Sequence, residues 1–484
     1  MVTYRRGASA LLVLGGLFGL ACGAVAPSGG GGGTAPGGTG PGAGGGSPPG
    51  VATGTYVPGL STPHAAYPGR GFVVHEWGTN TIVVGSDGSV QRGLHHEEED
   101  LPAFVYDRIK AGGMTGSVEV KMETPVLYFY SDAPRDVDVK VQFPAGVLTQ
   151  WFPSARAFFP TIAEVATGLA DPVMDPAYPF QLDACRQRFQ DGKAIKDGVL
   201  DWGTIHVGAR GENAAGPDAP LDRYTWGHAR AVDANPVRVD KPGTTDVEEE
   251  RFLFYRGLGN FTLPVHILAE GPSSLEADGL TLVNADPKNA LGSVFVLNVG
   301  PTSAKFAVHP EGVPVGPGAF VETLNAAPAM PLDAYESALA AAMTAELDRT
   351  GLYHDEAVGM VSTWRRQWFK TPGLRVLYLA PQAWTDAQIP LALTPAPDVL
   401  TRIMVIRTEV ITTAQEEADV AALKDVEGDA TRNAAGVAHF KGLGRFAEPR
   451  LRRARQLASD GDGTAASALL GQIAGANTDF GVGE

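Results

Sequence analysis

The most restrictive feature of this chain is a long tract near its N-terminus that lacks core-forming side chains. Residues 27–61 are almost entirely Gly, Pro, Ala, Ser and Thr, with very few large or charged residues. Such a composition buries too little apolar surface to offset the conformational entropy lost on folding. The sequence therefore predicts a disordered Gly/Pro-rich tether over residues 23–62, and the folded body must lie after it.

The segment before this tract has the pattern of an export signal. Arg5 and Arg6 precede an apolar run over residues 8–21, which is too short to span a bilayer, and Cys22 follows. The ending Gly-Leu-Ala-Cys resembles a bacterial lipobox, in which the cysteine is lipidated. We predict a lipoprotein-type signal peptide over residues 1–22, lipid attachment at Cys22 and an outer-membrane-anchored protein of the cell envelope. The alternative is ordinary cleavage slightly later, which would give a secreted or periplasmic protein.

Charge and cysteine content exclude several classes of protein. The formal net charge is -16 over 484 residues, whereas nucleic acids and anionic membrane surfaces are bound by basic proteins. We therefore expect no nucleic-acid partner. The chain has 2 cysteines, Cys22 and Cys185, which cannot form a disulfide framework. Cys185 is interpreted as a small buried side chain.

Residues 63–325 carry the patterns of a β-rich, sandwich-like region. Val137, Val139 and Val141 alternate with polar residues, which is typical of a half-buried strand. A turn at 144–146 and an apolar run at 147–152 predict a hairpin with that strand. A short helix is expected at 180–189. Further strand-like runs occupy residues 72–77, 79–84, 126–130, 252–255, 261–268, 280–283, 294–299 and 305–308.

Residues 326–484 change to a mixed α/β pattern. Helices are predicted at 335–349, from 354 onward, and at 413–424, 448–459 and 464–473, with strands at 374–379 and 403–411. Asp333 with Glu336 and Thr413 with Glu416 have the spacing of helix-capping pairs. The resulting fold class is α+β: a predominantly antiparallel β body with this C-terminal region packed on it. One apolar stripe of a helix is predicted from Ala357, Val361, Trp364 and Trp368. A solvated basic helix face is predicted from Arg450, Arg452, Arg453 and Arg455.

The familiar catalytic motifs do not occur, but histidine and carboxylate residues cluster at the start of the body. His75-Glu76 lies in the first strand run, and His95-His96 precedes Glu97, Glu98, Glu99 and Asp100. Imidazole and carboxylate groups are ligands of zinc and other transition metals. Neighbouring side chains in a strand point to opposite faces, so His75 and Glu76 cannot reach one ion without a bulge.

Three interpretations of this cluster remain open. The first is a structural network in which His75 or Glu76 bonds to backbone or to an arginine. The second is a divalent-metal or catalytic site that uses His75 with His95 or His96, with Glu76 as a further candidate ligand. The third is a binding surface for cations formed by the acidic residues Glu97, Glu98, Glu99 and Asp100.

Four segments together resemble a family of secreted, mostly uncharacterised bacterial proteins that begin with an HEWGTFTS-type motif. They read HEWGTNTIVVGSDGS, METPVLYFYS, RFLFYRGLGNF and EAVGMVSTWRRQWF, and they are spread over residues 72–453. This resemblance implies one integrated architecture and no particular reaction. The leading functional hypothesis is a lipid-anchored envelope protein that binds a protein, glycan or other ligand. The alternative is a metal-dependent secreted enzyme, a hydrolase or an oxidoreductase with His and Glu ligands; the sequence does not decide between them.

Overall fold

The strand Phe72–Val84 is buried along all of its 13 residues. A strand buried on both faces requires a partner at each edge and a packed layer above and below. The computed structural model shows both; it describes residues 65–475 except 95, 99–100, 108–117, 160–195, 215, 218–224, 270–279, 317–318 and 459–463. The strand runs predicted at 72–77 and 79–84 therefore form one continuous strand.

The strands that the structure describes account for most of the predicted strand runs. They are β1 (Phe72–Val84), β2 (Tyr106–Asp107), β3 (Val120–Ser131), β4 (Arg135–Phe143), β5 (Gly146–Phe152), β6 (Ala157–Phe159), β7 (Gly198–Val207), β8 (Val237–Asp240), β9 (Val247–Glu250), β10 (Leu253–Gly259), β11 (Val265–Ala269), β12 (Leu280–Asn284), β13 (Val294–Val299), β14 (Ser303–His309), β15 (Ala319–Glu322), β16 (Met330–Pro331), β17 (Gly373–Ala380), β18 (Leu391–Thr394) and β19 (Val399–Val410).

Ten of these strands form a central sheet in the order β16-β14-β13-β17-β19-β1-β3-β10-β5-β2. β1 runs parallel to β19 and antiparallel to β3. A three-stranded sheet, β11-β12-β15, and a sheet built on β18-β4-β7-β8-β9 complete the β structure of the described residues. The central sheet takes strands from both sides of residue 325, so the two sequence regions share one sheet.

The helices that the structure describes lie mainly in the C-terminal half. They are α1 (Trp226–Arg230), α2 (Leu332–Asp348), α3 (His354–Lys370), α4 (Gln382–Gln388), α5 (Thr413–Val426), α6 (Ala430–Lys441), α7 (Ala447–Leu457) and α8 (Thr464–Gly475), with a 3-10 turn at Gly444–Phe446. None of them combines the length and the apolar character that a membrane-spanning helix needs.

The two faces of the central sheet belong to different cores. Phe72 and Val74 of β1 pack in one core with residues of the two smaller sheets. Val73 and Trp77 pack in the other core with α2 and α3. The predicted apolar stripe of α3 is buried there, and the rings of Trp364 and Trp368 stack with centroids 5.6 Å apart. The fold is therefore α+β with mainly antiparallel sheets, as predicted from the sequence.

The predicted hairpin between β4 and β5 is wrong. β4 pairs with β7 and β18, whereas β5 pairs with β10 and β2 of the central sheet. The burial of the two strands gives the reason. β4 exposes its polar face, but β5 is buried at every position and must lie inside the larger sheet. The turn between them carries the chain from one sheet to the next.

Both predicted capping pairs are also wrong in detail, because the helices begin earlier than expected. α2 begins after Pro331 without a side-chain cap, and Glu336 instead pairs with Arg365 at 2.8 Å. α5 is capped by Thr412, whose hydroxyl accepts from the backbone N–H of Gln415. The predicted helix at 180–189 lies outside the described residues.

The basic run on α7 does not form a solvated face. Arg453 is buried and its Nε donates to Glu416 Oε1 at 2.7 Å. Arg450 pairs with both carboxylate oxygens of Asp419, and Arg452 pairs with Glu448. Arg450 and Arg453 therefore connect α7 to α5, whereas the Arg452 pair lies within α7. The spacing of the arginines along α7 could not show that acidic residues of another helix lie against them.

Candidate functional site

His75 lies on the helical face of β1 and makes a buried contact with α3. Its Nδ1 is 2.7 Å from Glu356 Oε2, and because a carboxylate accepts, Nδ1 carries the hydrogen. Glu356 also accepts the backbone N–H of Tyr353 at 2.7 Å, at the first turn of the helix. The rings of Tyr130 and Tyr353 pack around the imidazole at 5.4 and 4.5 Å. This arrangement joins β1 to α3.

Glu76 points to the opposite face, as the alternation of a strand requires. Its Oε2 accepts from Arg402 Nε at 2.5 Å, and Oε1 accepts from the hydroxyl of Tyr255. Burial, and then the Glu76 charge, raise the pKa of Tyr255 well above its ordinary value. The interpretation as a structural network, in which His75 or Glu76 bonds to backbone or to an arginine, is therefore confirmed for Glu76.

His96, Glu97 and Glu98 lie over the far half of the central sheet, among protein cations. Glu97 Oε2 is 2.9 Å from Lys121 Nζ and 2.7 Å from Arg256 Nη1. We call the following set the buried ionic cluster: Glu97, Glu98, Lys121, Glu123, Arg256, Arg407 and Arg445. Its members come from three strands, a loop and the 3-10 turn.

Further contacts of the buried ionic cluster tie the 3-10 turn and the loop with Glu98 to the central sheet. Arg445 Nη1 is 2.6 Å from Glu123 Oε1 and 3.2 Å from Glu98 Oε2, and Arg407 Nη1 is 2.8 Å from Glu98 Oε2. Protein cations thus neutralise Glu97 and Glu98. This corrects the expectation that these two residues form an exposed cation-binding surface. Glu99 and Asp100 lie outside the described residues.

Burial and neighbouring charges shift the pKa values in this cluster in opposite directions. Burial alone raises the pKa of Glu123, but the charges of Arg445 and Lys121 outweigh it and lower the pKa to about 2. Burial likewise raises the pKa of Glu97, and Lys121 and Arg256 bring it below its ordinary value. Burial lowers the pKa of Lys121 despite the carboxylates of Glu97 and Glu123. The carboxylates are thus held in their ionised form.

The structure does not bring the predicted metal ligands together. His75 packs beside Glu356, whereas the backbone oxygen of His96 accepts from Lys121, and His96 Nε2 is 3.9 Å from Glu448. Thr81, the β1 residue opposite Lys121, lies about 20 Å along the strand from His75. Across the described ranges, no three His, Cys, Asp or Glu side chains are grouped so as to hold a metal ion. His95, Cys22 and Cys185 lie outside those ranges.

A cavity of about 200 Å³ lies between the central sheet and the three-stranded sheet. Its walls come from the end of β1, the turn after it, the segment that leads into β11, and β11 itself. The apolar side chains in the walls are Ile82, Val84, Val90, Phe261, Leu263, Val265 and Ile267. A volume of this size accommodates a small organic molecule or one large side-chain group.

Polar groups occupy two parts of this cavity. Glu119, Asn260 and His266 are partly or fully exposed and line its mouth. The mouth is held together by the backbone N–H of Glu119, which donates to Asn260 Oδ1 at 2.9 Å, and by Arg92, which pairs with the Glu119 carboxylate at 3.0 Å. Thr408 is fully buried and lines the inner wall.

Sequence reasoning did not find this cavity. Some of its wall residues lie in the predicted strand runs 79–84, 261–268 and 403–411. The usable signal was an apolar run, 261–268, with an Asn and a Thr at its start. That run alone does not show that β11 leaves the central sheet.

Comparison of the chain with protein-family models and with curated proteins gives no match. The resemblance to proteins with an HEWGTFTS-type start therefore stays a prediction.

Proposed function

We propose that this protein is a lipid-anchored binding protein of the cell envelope that holds a small, mainly apolar ligand in the cavity beside β11. The observation that carries the proposal is the cavity itself: about 200 Å³, bounded chiefly by apolar side chains, with polar residues at its mouth. Apolar walls with a few placed polar groups are the usual composition of a small-molecule site.

The charges at the mouth support an uncharged ligand. Glu119 is already paired with Arg92, so its carboxylate does not require a ligand cation. The walls offer Phe261, Leu263 and Val265, which favour contact with an aromatic or branched aliphatic body. Burial of such a body provides the main driving force for binding.

Blocking the mouth of the cavity tests the proposal. Val90 is 38% exposed and lines the cavity, so Val90→Trp is expected to fill the entrance and to weaken toluene binding by roughly tenfold or more. Titration calorimetry or the toluene-dependent rise in unfolding temperature measures the effect.

The matched control is Val247→Trp, which adds the same ring at an exposed position of β9 that does not line the cavity. This variant should bind toluene like the wild type. The proposal fails if the wild type binds no toluene, or if both tryptophan variants bind it equally well.

Anchoring is tested separately at Cys22. The export-signal pattern of residues 1–22 supports lipid attachment there, so Cys22→Ala is expected to move most of the protein from the membrane fraction to the soluble fraction. Cys185→Ala, at the chain's other cysteine, should leave fractionation unchanged. Membrane association that persists in Cys22→Ala would contradict anchoring through this residue.

A further inference from the structure

Thr408 brings a hydroxyl group into the buried interior of the central sheet. It lies in β19 and is opposite Ile82 of β1 and Val376 of β17, both fully buried apolar residues. Thr408 itself is fully buried, and its Oγ1 makes no hydrogen bond to any residue that the structure describes. It also lines the cavity.

A buried hydroxyl without a partner is unfavourable. Water solvates the group in the unfolded chain, and the fold provides no replacement for that hydrogen bond. Both register neighbours are apolar, and Ile82 lines the same cavity as Thr408, so a ligand in the cavity can provide the partner that the fold lacks. A hydroxyl can donate to a carbonyl or hydroxyl oxygen and can accept from a hydroxyl.

We propose that Thr408 Oγ1 recognises the ligand by forming a hydrogen bond with one of its polar atoms. Resting on the proposed function, this inference narrows the ligand to an uncharged molecule with an apolar ring or branched body and a single hydroxyl or carbonyl oxygen. The body contacts the apolar walls, and the oxygen reaches the inner wall and exchanges a hydrogen bond with Thr408 Oγ1. A small phenol has this chemistry.

Phenol and toluene provide the test because phenol carries a hydroxyl group where toluene carries a methyl group, and the two molecules are otherwise the same. Their dissociation constants are measured by calorimetry on the purified full-length protein and on Thr408→Val, which replaces the hydroxyl with a methyl of similar size. The ratio of the toluene constant to the phenol constant is expected to fall by about fivefold to tenfold in Thr408→Val. Hydration differences between the two free ligands cancel in this comparison.

Thr408→Ser keeps the hydroxyl and should keep the wild-type ratio, while Thr408→Ala provides a second variant without it. Without ligand, Thr408→Val should unfold at a higher temperature than the wild type, because an unsatisfied hydroxyl has been removed. If toluene and phenol bind but the ratio of their dissociation constants is the same in all variants, Thr408 forms no hydrogen bond with the ligand. The inference is then overturned, although the cavity still binds both molecules. If neither molecule binds the wild type, the proposed function itself fails.

Discussion

Glu76→Gln is expected to destabilise the protein by about 3–5 kcal/mol, the usual effect of removing one partner of a buried ion pair. Glu76 and Arg402 are both 1% exposed, and the amide would leave the guanidinium without its buried counter-charge. Chemical denaturation at neutral pH, with circular dichroism as the signal, measures the change in unfolding free energy.

Asp386→Asn is the matched control for this prediction. Asp386 pairs with the same guanidinium at 2.8 Å, but its side chain is 48% exposed, so its loss is expected to change stability by only about 0–1 kcal/mol. Glu76→Met combined with Arg402→Met should be less destabilising than Glu76→Gln, because no charge is then left unpaired. Equal effects of Glu76→Gln and Asp386→Asn would contradict this account of the pair.

Lowering the pH from about 4.5 to about 2 is expected to remove on the order of 3 kcal/mol of stability through Glu123. Its pKa is about 2 in the folded protein and 4.5 ordinarily, so the unfolded chain binds more protons over this window. The stabilisation is therefore complete above the ordinary pKa and is lost as the pH falls through the folded pKa. Glu97, whose pKa is also lowered, contributes with the same sign.

Glu123→Gln separates this effect from general acid denaturation. At pH 6 the variant should be less stable than the wild type by about 3–5 kcal/mol, because Arg445 and Lys121 lose a buried counter-charge. The difference should narrow as the pH approaches 2, where the wild-type carboxyl becomes neutral. Glu212→Gln removes a 43%-exposed partner of Arg238, and its stability curve should run parallel to the wild-type curve. A gap between Glu123→Gln and the wild type that stays constant with pH would refute the assignment.

Much of the local structure could be predicted because it depends on neighbouring residues. The alternation of β4 and the apolar stripe of α3 are periodic patterns, and both are present in the structure. Strand geometry also predicted that His75 and Glu76 would point to different faces, which the structure confirms. The predicted hairpin failed because local turn chemistry does not specify which sheet the next strand joins.

The partners of the candidate site residues could not be predicted. Lys121 and Glu123 occupy the polar positions of an alternating run, which ordinarily face solvent. They are buried because Arg445 and the loop with Glu97 cover that face. Glu98 and Arg407 are likewise 309 positions apart in the chain.

The sequence by itself determined many of the strands and helices and the opposite orientation of His75 and Glu76, since each follows from residues within one turn or strand. Only the tertiary structure decided that Glu76 meets Arg402, 326 positions away, and that a cavity remains beside β11. The physical reason is that ion pairing and cavity formation depend on distances between segments. Those distances arise from how the sheets and helices pack, and no local pattern of side chains records them.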